Sequence, residues 1–112
     1  MKEFSPTVIS LSELWDKAEK MLAAKQRFDA EVFRCRSEIA QLRTEAALEF
    51  EIVDYKQGVY NERMQKDPTD ASLAELSASI RESRAHATKI EVRADNLEVA
   101  LAELLARVTN NG

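Results

Sequence analysis

The chain has 112 residues, the size of one domain, and 45% of them are hydrophobic and 32% charged. Two glycines, two prolines and one cysteine cannot supply the turns of a β-sandwich or a Rossmann domain, nor an internal disulfide. With 16 basic against 20 acidic residues and a net charge of −4, the cationic excess that drives binding to nucleic acid or anionic membranes is absent.

The opening Met1-Lys2-Glu3-Phe4-Ser5-Pro6 carries an acid early and has no apolar run behind it. It predicts neither a signal peptide nor a membrane span, so a cytoplasmic location is expected. Ser5-Pro6 disfavours helix, which makes residues 1–9 a non-helical lead. Within that lead, Phe4, Val8 and Ile9 are expected to pack on the first helix or to form a short docking strand. Ser10 and Glu13 fit a capping box, with Asp16 adding a second acid where the helix dipole favours one. A first helix over 10–66 follows. It contains no proline and one glycine, Gly58, which weakens a helix by roughly 1 kcal/mol without ending it. Asp67-Pro68-Thr69-Asp70 is the one strong break. It predicts a turn over 67–70 with Asp67 as the cap of the next helix and Pro68 at its first position. The second helix is expected over 71–108, with a tail at 109–112.

Steps of three and four pick out an apolar seam on each helix. On the second it runs Leu73, Leu76, Ile80, Ser83, Ala87, Ile90, Ala94, Leu97, Leu101, Leu104 and Val108. That is about five heptads with Ser83 as its polar member. On the first it runs Leu11, Leu14, Ala18, Met21, Lys25, Phe28, Val32, Cys35, Ile39, Leu42 and Ala46, then Phe50, Val53, Gln57, Tyr60 and Met64. The four-plus-four step through Ala46 reads as a stutter that locally unwinds the supercoil. Folding at Pro68 sets residue i roughly opposite residue 137 − i. Leu42 then meets Ala94, Ala46 meets Ile90 and Phe50 meets Ala87, large against small. The acids Glu45, Glu49, Glu51 and Asp54 lie across from Arg81, Arg84, Lys89 and Arg93, and Arg34, Arg36 and Arg43 across from Asp95, Glu98 and Glu103. Each exposed pair contributes only about 0.2–1 kcal/mol, but together they select a register. The fold class is therefore all-α: a long antiparallel helical hairpin, coiled-coil-like, expected to dimerise into a helical bundle.

The two limbs are unequal. Roughly 56 residues make about 84 Å of helix, and about 40 make about 60 Å, so the shorter limb ends near residue 28 of the longer. Leu11, Leu14, Trp15, Ala18, Met21 and Leu22 remain as an apolar arm, and Leu48, Ile52, Tyr55 and Val59 form a second stripe off the seam. Unused stripes of this size mark partner surfaces. A second copy of the chain, a fold-back of residues 1–27 as a third helix, or a different protein would each cover them. The fold-back needs a helix break near Ala23-Ala24-Lys25, where no breaker residue stands.

Chemistry is sparse. His86 is the one histidine, with Glu82 a turn before it, and a metal site needs more ligands than this. Cys35 falls on the seam as a small hydrophobe. Lys25 either sets register or reaches into solvent. Arg27, Arg34, Arg36 and Arg43 make a possible phosphate stripe, but Asp29, Glu31 and Glu38 among them favour a paired, solvated face. That stripe carries the alternative reading, a nucleic-acid-associated regulator built on a dimeric bundle. No phosphate loop, catalytic triad order or zinc spacing is present in the sequence. Tyr55-Lys56-Gln57-Gly58-Val59-Tyr60-Asn61-Glu62-Arg63 superficially resembles the lysine and Arg-Glu region of small all-helical chorismate mutases. Its Glu62-Arg63 is in reverse order and its spacing is too short, so no catalytic role is carried over. The expectation is a non-enzymatic interaction module with no cofactor, metal or small-molecule substrate, binding a protein partner and forming a homodimer. Fold-level analogy places such hairpins among chaperones, adaptors, scaffolds and secretion, phage or plasmid accessory proteins.

Overall fold

The computed structural model describes residues 10–111, with side chains through Thr109. The lead at residues 1–9, with Phe4, Val8 and Ile9, lies outside the described residues. The fold is all-α: α1 spans Leu11–Lys66, 56 residues, and α2 spans Ser72–Asn111, 40 residues. The chain divides into two units, Met1–Arg34 and Cys35–Gly112, a division that the periodicity does not announce.

In the first unit, Ser10 begins α1 as the capping pattern requires. Its Oγ accepts the Glu13 N–H at 3.1 Å, and its carbonyl accepts the Leu14 N–H at 3.1 Å. The first contact satisfies a donor that a helix start otherwise leaves open, and the second is the first i→i−4 bond of the helix. Arg34 pairs with Glu31 one turn before it. Val32 is buried and Phe28 half-buried, while Lys25 is exposed, as a long side chain reaching solvent would be.

In the second unit, residues 35–66 of α1 pack antiparallel against α2 as a helical hairpin. The buried side chains are Ile39, Leu42, Ala46 and Val53 on one helix and Leu73, Ile80, Ala87, Ala94 and Leu101 on the other. Every one is a seam position, because removing that stripe from water is the main favourable term in holding two amphipathic helices together. Ala87 and Ala94 are wholly excluded from solvent. Polar contacts fix the same register. Arg63 Nη1 donates to Ser72 Oγ at 3.0 Å beside the turn, Lys56 reaches Ser79 and Ser83, and Arg43 reaches Asp95 and Glu98. These partners fall within about a turn of the expected reflection.

Four details depart from the sequence expectation. Burial keeps a seven-residue spacing through Ile39, Ala46 and Val53, passing straight across the four-plus-four step. The irregularity is absorbed beside the seam, where Glu49 and Phe50, then Lys56 and Gln57, are half-buried in adjacent pairs. At the turn, Asp67 does not cap α2. Its Oδ1 accepts the Thr69 N–H at 3.0 Å and the Thr69 hydroxyl at 2.6 Å, closing the bend around Pro68. Asp70 takes the capping role, its Oδ1 accepting both the Ser72 N–H and the Ser72 hydroxyl at 2.8 Å. Because that N–H and hydroxyl favour the charged form, they hold the Asp70 carboxyl below the usual aspartate range. The helix thus starts at Ser72 rather than 71. At the other end it continues to Asn111 instead of stopping at 108.

The fourth departure concerns charge. Arg43 bridges Asp95 at 2.8 Å and Glu98 at 2.9 Å, and the hydrogen bond to Asp95 leads in raising the guanidinium above its ordinary value. Arg93, however, pairs with Glu38 at 3.3 Å and with none of the acids assigned to it. Among the described residues, no ion pair joins Glu45, Glu49, Glu51 or Asp54 to Arg81, Arg84 or Lys89. Same height along a hairpin is not the same face.

Candidate partner-binding faces

The arm near the start of α1 is a continuous helix whose apolar residues recur at helical spacing. Leu11, Leu14, Trp15, Ala18, Met21 and Leu22 are all exposed, Trp15 by 64% of its surface. Helix periodicity brings them to one side over about three turns, roughly 17 Å. Glu13, Asp16, Lys17, Glu19 and Lys20 intervene as an exposed, mixed-charge rim. An apolar strip edged by both signs of charge suits a helix or groove that covers the strip and leaves the edges wet. The third-helix expectation fares badly here, since the described part of residues 1–27 is one unbroken helix from Leu11 onward.

The stripe in the second unit is also in place. Leu48, Ile52 and Tyr55 are exposed, Tyr55 by 75%, and Val59 is half-buried. Leu48 and Tyr55 stand a heptad apart on the side of α1 that faces away from α2, with Glu51 and Asp54 exposed beside them.

Two apolar features escaped the sequence reading. Phe33 is 73% exposed in the first unit. On α2, Val92 and Val99 are exposed at a seven-residue interval that continues back through the exposed Ala85 and Ala78. That position of a heptad normally faces solvent and is polar. The signal is legible in the sequence as a second seven-residue apolar series beside the main seam of α2. Around Ala85, Thr88 and Val92 the surface forms a shallow groove whose walls are Arg81, Arg84 and Lys89.

Lys56 was missed as well. Its Nζ donates to Ser79 Oγ at 2.9 Å and to Ser83 Oγ at 2.8 Å, all three residues being half-buried. Ser83 was visible as the polar interruption of the α2 seam; its partner was hidden because Lys56 sits one residue off the stepped seam of α1. A polar contact of this kind sets register, as a lone polar core residue does in a coiled coil.

The remaining candidates stay quiet. His86 is exposed beside Glu45, Lys89 and Arg93 in a second shallow groove over Leu42 and Ile90. Cys35 is a half-buried free thiol. Among the described residues no group of three His, Cys, Asp or Glu is placed to hold a metal ion, and no helix is long and apolar enough to cross a membrane. Of the arginines on the possible phosphate stripe, Arg34 and Arg43 are already engaged by carboxylates. No protein-family model, curated protein or solved structure matches this chain.

Proposed function

We propose that this protein is a non-enzymatic protein–protein interaction module that works through exposed apolar helix faces, as a small helical chaperone, scaffold or inhibitor. The observation that carries the reading is the arm: six apolar residues on one helix side, Trp15 among them, all open to solvent. A helical segment as short as this arm is marginal in water without something to pack against. Helix-in-groove pairing, with anchors at intervals of three and four, is the recognition mode such a face serves. Tryptophan is enriched among residues that dominate binding energy. A second copy of the chain is one occupant that satisfies this face, giving a homodimer; another protein is the other.

Affinity capture from cells that make the protein, run in parallel with wild type and Trp15→Ala, tests the reading. The variant should stay helical by circular dichroism and lose the captured protein or its own second copy. A Trp15→Ala chain that retains every contact refutes the assignment of the arm.

A further inference from the structure

Two exposed faces in the second unit carry opposite charge and are not neutralised by ion pairs among the described residues. On α1, Leu48 and Tyr55 form an apolar strip bordered on one side by the exposed Glu51, with the exposed Asp54 further round on that same side. On α2, Ala85, Thr88 and Val92 floor a groove walled by Arg81 and Arg84, with Lys89 on its far side. No cation lies within ion-pairing distance of Glu51 or Asp54, and no carboxylate within that distance of Arg81 or Arg84, among the described residues. Each face points away from the seam, so neither reaches the other in one copy.

We infer that the groove on α2 receives the Leu48–Tyr55 face of α1 from a second copy of this chain. This rests on the reading of the protein as an interaction module and names the partner for these two faces. The register supports it. A second hairpin set alongside in the same orientation brings its α1 antiparallel to α2 of the first. With the residue pairing of the intramolecular seam repeated across that boundary, Glu51 meets Arg84 and Asp54 meets Arg81. Leu48 then lies over the Ala85–Thr88 part of the floor, and Tyr55 lies at its Arg81 end, toward the exposed Ala78. Apolar contact in the centre with charge pairs at the edge is the ordinary anatomy of a specific interface. The contact is heterologous, because one copy offers α1 and the next offers α2. It can therefore continue beyond two copies unless the geometry closes a ring.

Sedimentation of the full chain with paired charge reversals tests the inference. One variant is Glu51→Lys with Asp54→Lys; the other is Arg81→Glu with Arg84→Glu. All four positions are exposed, and circular dichroism checks that both variants remain helical. Wild type should gain mass with concentration and lose it as salt screens the pairs. Each variant alone should associate roughly tenfold or more weakly, since like charges then oppose each other. An equimolar mixture should regain association, because each variant presents to the other the charge that it lacks. Wild type that stays monomeric, variants that associate like wild type, or a mixture that stays apart would each overturn the inference. Those outcomes leave the Trp15→Ala capture result standing, so failure here is separable from failure of the interaction-module reading.

Discussion

Ile80→Ala is a sharp test of where the stability of the hairpin resides. Ile80 is 5% exposed and sits mid-seam on α2, between Leu73 and Ala87 in the seven-residue series. The substitution deletes three carbons; at about 0.8 kcal/mol per buried methylene, the transfer contribution alone is about 2.4 kcal/mol. A residual cavity adds to this, and measured Ile→Ala costs run from about 2 to 5 kcal/mol. A hairpin only two helices thick can close over a gap more readily than a multilayer core can. The expected loss is therefore in the lower part of that range, about 2–3 kcal/mol. Urea unfolding followed by circular dichroism at 222 nm reads the loss as a lower midpoint with an unchanged slope. Val99→Ala is the control. Val99 is 58% exposed on the same helix, and its truncation should stay within about 0.5 kcal/mol of wild type. Equal costs at the two positions, or no cost at Ile80, would refute the assignment of the stabilising face.

Two further predictions concern polar contacts. The Asp70 carboxyl is held below its ordinary value by the Ser72 N–H and hydroxyl, so its folded-state pKa is depressed. Its contribution to stability is then fully present above the usual aspartate value of about 3.9 and is lost as pH falls through the lower folded value. The stability difference between wild type and Asp70→Ala should accordingly shrink on acidification; a difference that grows toward low pH would contradict the cap. For the Lys56 clasp, a double-mutant cycle of Lys56→Met and Ser83→Ala in urea should give a coupling of about 1 kcal/mol. Hydrogen bonds to charged groups reach more than that, but these residues are half-exposed and partly screened. Additive single mutants would show that the 2.8 Å contact contributes nothing to stability.

Much of this molecule was decided by local rules. Scarcity of Gly and Pro, one Asp-Pro break and sustained steps of three and four require two long helices, since periodic burial is a property of a single chain segment. Ser10 as a cap and the seam from Ile39 to Leu101 were readable for the same reason, as were the arm at Leu11–Leu22 and the stripe from Leu48 to Val59. Which charges meet was not readable. Reflection about the turn gives height along the hairpin, whereas an ion pair also needs both side chains on facing sides. Arg43 satisfies both conditions, and Glu51 and Arg84 satisfy only the first. Tertiary packing alone also placed Lys56 between two serines, whereas the shift of the α2 cap from Asp67 to Asp70 is settled by contacts within the turn itself. The ion pairs and the Lys56 contact both depend on how the two helices are rotated about their own axes. That rotation is set by the whole seam at once, and no single residue encodes it.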